Sequence, residues 1–272
     1  MLTDITIGQY FPGNSFLHRL DPRMKLVLTL LFLVIVFVPQ NWVGLGAAVL
    51  YLGVAVALSR LPVRLLWRSV RPILVLIAFT AVLNMFYVTG GEPLLDLWIF
   101  HITTKGVRTA VFIAARIVCL IAGSSLLTYT TTPTALTDAI EALLSPLKKI
   151  HIDPHDLAMM MTIALRFIPT LIEETDKIMS AQKARGADLE SGRLTQRIKA
   201  LIPILIPLFV SSFRRAYDLA TAMECRCYRG GEGRTRMKQL RTARRDWLTL
   251  AVSLLMLAGV ILLNRFCGSI LH

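Results

Sequence analysis

Two arginines stand out as chemically usable, each between small residues near the end of a segment with helical periodicity: Ala184-Arg185-Gly186 and Cys225-Arg226-Cys227. A guanidinium presents its donors in a planar fork that lysine cannot imitate, and small flanks let that fork enter a narrow groove on a partner. The plainer reading is a cation that completes the last turn of a helix, capped by glycine and worth about 0.3 to 1 kcal/mol. Both readings are compatible with the residues. The first implies two docking grooves.

The other reactive side chains do not assemble into a site. Cys225 and Cys227 form a C-x-C with no nearby His or second Cys pair to complete a tetrahedral set, and with Cys119 and Cys267 they read as free thiols. His151 and His155 are four apart, but Pro154 between them starts a helix, so they need not share a face. Glu173, Glu174 and Asp176 against Lys177 and Lys183 read as a solvated helix face. No closely spaced aspartates for Mg²⁺ and no Gly-rich phosphate loop are present, so phosphoryl transfer lacks its usual residues. No metal or catalytic site is expected.

The elements that must position the arginines belong to a membrane protein. The chain has 272 residues, 55% hydrophobic and 17% charged, with a mean hydropathy of +0.61. That is too apolar for an ordinary soluble domain. Charge-free runs at 42–58, 72–88 and 247–263 approach the length of a hydrocarbon core. A fourth run, 109–127, carries Arg116 near its middle at about 2.5 to 3.5 kcal/mol on the insertion scale. A short first run, 26–38, is flanked by Arg23 and Lys25, which can snorkel, and Pro39-Gln40-Asn41 turns it into the next span. No leader-like apolar run precedes it, so it is expected to serve as its own insertion signal.

Five spans with a cytoplasmic N-terminus put every basic residue except Lys105, Arg108, Arg116 and Arg265 on one side. The positive-inside rule supports that orientation, and the formal charge of +13 is then topology rather than a nucleic-acid footprint.

The segment 129–245 is too long and too charged to be a connecting loop. Thr132-Pro133 reads as a cap followed by Leu136, Ile140, Leu143, Leu144 and Leu147 on one helical stripe. Asp153-Pro154 opens a second helix that runs past Pro169 toward Gly186. Arg166 and Pro169 favour its lying at the interface or against the bundle rather than crossing. A third helix opens near Arg193. Its apolar stretch at 200–210, which holds Pro203 and Pro207, is too short to cross and is expected to lie beneath the membrane.

The stretch Ser15-Phe16-Leu17-His18-Arg19-Leu20-Asp21-Pro22-Arg23-Met24-Lys25, the spans, the long basic insert and the two arginine motifs together resemble the transmembrane T component of energy-coupling factor transporters. The resemblance covers nearly the whole chain. It implies two ABC-type ATPase partners and a small membrane substrate-binding S component that captures a vitamin or metal ion. Arg185 and Arg226 would then each dock into one ATPase, and the amphipathic helices, with Leu136, Ile140, Leu143, Leu144, Leu147, Pro203 and Pro207, would form subunit interfaces. ATP and Mg²⁺ would be bound by the partners, with no cofactor here. Cysteines stand at two places where alanine or glycine is commoner in the family, keeping the small size.

The expected fold is all-α: a polytopic membrane protein of about five transmembrane helices plus a cytoplasmic coupling domain of about three amphipathic helices. Residues 1–128 would hold the N-terminal segment and first four spans, 129–245 the coupling helices, and 246–272 the last span. The rivals are a membrane enzyme acting on a phosphorylated lipid and a self-contained channel or secondary transporter with Arg116 on its path. The first lacks its chemistry, and no inverted repeat supports the second.

Overall fold

The computed structural model describes residues 10–87, 93–97, 100–146, 154–187, 194–230 and 240–266, with the backbone alone at 93–97, 100–102, 194 and 197. The described residues form two compact units, one within Ile140–Lys238 and one within Gly8–Ala139 and Gln239–His272.

The latter unit is a helical bundle. Helix α1 (Pro22–Phe37) starts where Asp21 Oδ1 accepts from the Arg23 N–H at 2.9 Å and Pro22 occupies the first turn. Proline is favoured there because its missing N–H has no intrahelical partner in any case. Helix α2 (Trp42–Ser59) is capped by Asn41, which accepts from the Gly44 N–H at 2.8 Å. Helices α3 (Val63–Val70) and α4 (Leu74–Tyr87) continue each other through a 3-10 turn at Arg71–Ile73, where Pro72 denies the ladder a donor. Strands β1 (Pro93–Leu97) and β2 (Phe100–Thr103) then pair antiparallel, a hairpin that nothing in the sequence pattern foreshadows. Thr103 caps α5 (Thr104–Thr130), accepting from the Gly106 N–H at 3.1 Å. Helix α9 (Arg244–Phe266) completes the bundle.

Helix α5 is the axis, packing against α1, α2, α3 and α4. Phe32, Ile35 and Val36 from α1 meet Ala48 and Leu52 from α2, Leu66 from α3, Cys119, Ala122 and Leu126 from α5, and Val260 from α9. The Phe32 ring lies directly on Gly123, where a Cβ would come within 2.0 Å of it.

Among the described residues, five helical stretches are long and apolar enough to cross a membrane: Trp42–Ser59, Val63–Tyr87, Thr104–Thr130, Pro154–Ala184 and Arg244–Phe266. The set differs from the sequence expectation in two members. Helix α7 (Pro154–Ala184) qualifies by length and composition, because it passes Pro169 unbroken and keeps its apolar half on one continuous helix. Helix α1 does not, since its 16 residues rise only about 24 Å against a hydrocarbon core of about 30 Å.

The turn after that short helix finds its partners inside the protein, as backbone at membrane depth must. The Val38 carbonyl accepts from Asn264 Nδ2 at 2.6 Å, Asn264 Oδ1 accepts from the Gln40 N–H at 3.0 Å, and Asn41 Nδ2 donates to the Leu263 carbonyl at 3.1 Å. The Arg116 guanidinium donates to the Pro39 carbonyl and sits 4.8 Å from the centre of the Phe112 ring. A carbonyl and an aromatic face thus offset part of the cost of a mid-helix cation.

Lys25 corrects the sequence expectation. It does not snorkel; it is buried, and Nζ donates to the carbonyls of Thr130 at 2.8 Å and His18 at 3.2 Å. Beside it Asp246 is 1% exposed, and its two oxygens accept from the Asp21 N–H at 3.1 Å and the Ala243 N–H at 2.6 Å. Snorkelling needs a free path to water, and here the segment before α1 folds across that path, held by Phe11 N–H to the Tyr129 carbonyl at 3.0 Å.

The Gly123 contact makes a direct test. Gly123→Ala is expected to lower stability in detergent by about 1 to 3 kcal/mol through overpacking. Gly53→Ala, with open space around its Cβ, serves as the control and should leave the thermal midpoint unchanged or slightly raised. Equal midpoints for the two variants would mean that the α1–α5 contact is looser than described.

Candidate functional site

The second unit is built around α7 and α8 (Leu194–Cys225), which pack against each other. Three contacts fix their direction: Met159 Sδ accepts from the Tyr228 hydroxyl at 3.0 Å, Glu174 pairs with Arg215, and Gln182 Nε2 approaches the Pro203 carbonyl at 3.5 Å. As α7 advances, its partners on α8 recede, so the two helices run antiparallel. The last contact has a cause in the sequence. Pro207 has no N–H, so the Pro203 carbonyl lacks its intrahelical donor and is open to Gln182.

Both arginine motifs end their helices with the same backbone arrangement. In α7 the Ala187 N–H bonds the Gln182 carbonyl at 3.0 Å and the Gly186 N–H bonds the Lys183 carbonyl at 3.0 Å, with Gly186 at φ 85°. In α8 the Tyr228 N–H bonds the Met223 carbonyl at 3.1 Å and the Cys227 N–H bonds the Glu224 carbonyl at 2.8 Å, with Cys227 at φ 55°. These are two Schellman caps. The arginine is the capping residue in each, Ala184 and Cys225 are the last helical residues, and Gly186 and Cys227 take the left-handed position. All six residues are exposed.

The structure does not bring the two arginines together. In the antiparallel register Arg185 lies opposite the start of the apolar part of α8, and Arg226 is roughly 36 Å further along at about 1.5 Å per residue. The Glu174–Arg215 pair sits near the midpoint.

Helix α6 (Pro133–Leu144) begins as its sequence implies, with Thr132 Oγ1 accepting from the Ala135 N–H at 3.3 Å. Leu136, Ile140 and Leu144 are half-buried and Leu143 is exposed; Leu147 lies outside the described residues. Pro203 and Pro207 are exposed on α8, with Leu201, Leu205, Ile206 and Phe209 around them. His155 reaches Glu141 at 3.1 Å, while His151 lies outside the described residues. Among the described residues no group of three or more His, Cys, Asp or Glu could hold a metal ion, and Cys119, Cys225 and Cys227 are free thiols.

Sequence reasoning missed two structural details. The left-handed conformation of Cys227 carries no signal, because cysteine, unlike glycine, does not favour it. Lys25 reads from the sequence as a snorkelling flank of a span, and only the fold buries it beside Asp246.

The bundle and the exposed, arginine-capped helix pair define an all-α, multi-pass membrane protein. A family model described as cobalt transport protein, CbiQ, matches residues 13–237, which include both arginine motifs. The chain is 52% identical over 269 residues to the energy-coupling factor transporter transmembrane protein EcfT of Clostridium kluyveri, covering 98% of this chain and 100% of that protein. It is 51% identical over 265 residues to the EcfT of Ruminiclostridium cellulolyticum, covering 97% and 98%, and 47% identical over 262 residues to that of Lactococcus lactis, covering 96% and 98%. The chain belongs to this family of transmembrane components of energy-coupling factor transporters.

The paired caps predict opposite responses. Gly186→Ala places a side chain in the left-handed region and should weaken the last turn of α7, whereas Cys227→Gly relieves that strain and should tighten the last turn of α8, each by about 1 kcal/mol, or roughly fivefold in exchange. Amide hydrogen exchange at the two helix ends reads this directly. The same sign for both substitutions would contradict the shared cap geometry.

Proposed function

We propose that this chain is the non-catalytic coupling subunit of an ATP-driven importer of a vitamin or other micronutrient, linking two ABC-type ATPases to a membrane S component. The observation that carries the reading is the pair of identical, exposed arginine caps at opposite ends of one antiparallel helix pair. A spacing of roughly 36 Å suits two grooves on two separate subunits better than two contacts on one. ATP and Mg²⁺ belong to those partners, and this chain needs no cofactor. In this reading α1 with its flanking turns crosses the membrane, whereas α7, though long and apolar enough to cross, stays with α8 on the cytoplasmic side, where the ATPases are, as does the N-terminus.

The physical sequence runs from groove to groove. Arg185 and Arg226 each enter an ATPase, where a fork of donors meets carboxylate or backbone acceptors. Closure of the ATPase dimer applies opposed forces to the two helix ends. The Glu174–Arg215 ion pair, about 11 residues or roughly 16 Å from each arginine, is where α7 and α8 pivot against each other. That motion moves the apolar surface of α8 around Pro203 and Pro207, and α6 with Leu136, Ile140, Leu143, Leu144 and Leu147, beneath the S component. No group in this chain forms or breaks a covalent bond.

Affinity purification in mild detergent tests the docking. Two ATPases should copurify with the wild type, each single change, Arg185→Ala or Arg226→Ala, should weaken capture, and the double variant should lose both along with coupled ATP hydrolysis. A wild-type chain that captures no ATPase yet transports a substrate alone would overturn the reading. The pivot has its own test. Glu174→Arg should lower transport without releasing the ATPases, and adding Arg215→Glu should restore it. The side of the membrane is read in a Cys267→Ser background, with the chain expressed without its ATPases, by labelling the exposed Cys225 and Cys227 with an impermeant maleimide, which should react in inverted vesicles and not in intact cells.

A further inference from the structure

We propose that the bundle holds one anionic phospholipid of the leaflet facing Arg60 and Arg244, its phosphate among Arg60, Arg244 and Arg245 and one acyl chain in an apolar cavity enclosed by α1, α2, α5 and α9. The cavity has a volume of about 430 Å³, within the range of about 300 to 1,000 Å³ that holds small ligands.

Its position follows from the register of α2 against α9. Asn41 Nδ2 bonds the Leu263 carbonyl, and ten residues further along α2 Tyr51 Oη bonds Ser253 Oγ at 2.6 Å, ten residues back on α9. Nine residues more on α2 and nine fewer on α9 set Arg60 level with Arg244. The depth from the Tyr51–Ser253 bond to that pair is about 14 Å, close to half of a hydrocarbon core of about 30 Å. The cavity occupies that one-leaflet depth. Leu50, Tyr51 and Met256 lie at its inner end, Val54 and Val252 come next, and Leu58 and Leu248 lie nearest the arginines, with Leu17 and Leu20 of the segment before α1 also in its wall.

The cavity opens sideways, toward the place of lipid tails. Leu58 and Leu248 line it while remaining 46% and 65% exposed. Lys25 gives it only an apolar stem, because its ammonium is engaged by the His18 and Thr130 carbonyls. Trp247 is exposed one turn inside Arg244, the level at which an indole marks the membrane interface. Arg60, Arg244 and Arg245 are exposed at the same level. Three cations above an apolar slot one leaflet deep complement an anionic headgroup with its tail beneath it.

Native mass spectrometry of the detergent-solubilised full chain tests this, with phosphatidylglycerol and phosphatidylcholine titrated separately. One phosphatidylglycerol should remain bound at least tenfold more strongly than phosphatidylcholine. The triple change Arg60→Ala, Arg244→Ala and Arg245→Ala should remove that preference. Ala55→Phe, which fills the cavity, should abolish retention of both lipids, and Val252→Phe at its mouth serves if the first variant does not fold. Equal retention of the two lipids by the wild type would overturn the anionic assignment. Phosphatidylglycerol binding that is lost in the arginine variant yet survives both phenylalanine variants would reduce the site to surface electrostatics and overturn the cavity.

Discussion

The Lys25 ammonium sits among three helix ends, and the bundle is arranged around how that charge is satisfied. Taking an ammonium out of water costs several kcal/mol unless its protons find acceptors. Here the acceptors are the carbonyl of Thr130, the last residue of α5, and that of His18, in the segment before α1. The C-terminal end of a helix carries partial negative charge, so α5 is a favourable place to leave a cation. Asp246 joins the start of α9 to the same cluster through the Asp21 N–H. His18 is in turn held by Ser15 Oγ at 2.6 Å and by the Phe11 carbonyl at 2.9 Å, which fixes Nε2–H as the donor to Phe11. One buried charge therefore ties the segment before α1 to the end of α5, and the Asp246 bond to the Asp21 N–H brings the start of α9 to the same place.

Much of this was legible in the chain. Asp21-Pro22 and Thr132-Pro133 are helix starts by their chemistry, and both helices begin there. The two arginine motifs were legible as helix ends, and the structure gives them one common cap. What stayed hidden depends on partners distant in sequence. Lys25 at the edge of a span looks the same whether it snorkels or turns inward, and only the segment folded over it decides. The α1–α2 turn is completed by Arg116 and Asn264, from helices that no local pattern connects to it. Helix α7 was harder for another reason. Pro169 and Arg166 argue against a span residue by residue, yet the unbroken helix keeps enough apolar length to qualify as one.

The bundle and the α7–α8 pair each join polar atoms across helices and each leave large apolar side chains exposed, among them Leu50, Val75 and Leu255 in the bundle. In the bundle, polar atoms are paired across helices, as in Tyr51–Ser253 and in the Tyr129 hydroxyl with Ser69 at 2.7 Å. In the helix pair, large apolar side chains along α8 stay exposed. Such a surface needs a cover, whether lipid or protein. Under the coupling proposal, the S component and the interface supply it.

The Schellman caps also make the helix pair a device with fixed phase. A helix that ends in such a cap cannot gain or lose a residue at its tip without giving up two backbone hydrogen bonds, so each arginine has a set angle about its helix axis. One residue inserted between Glu174 and Arg185 would turn that guanidinium by about 100° and shift it by about 1.5 Å. Under the coupling proposal the rotation matters far more than the shift, because a planar fork that faces the wrong way would meet no acceptors on the ATPase. On that proposal, length changes in these two helices would be tolerable mainly in steps of about seven residues, two full turns, which restore the angle while lengthening the arm.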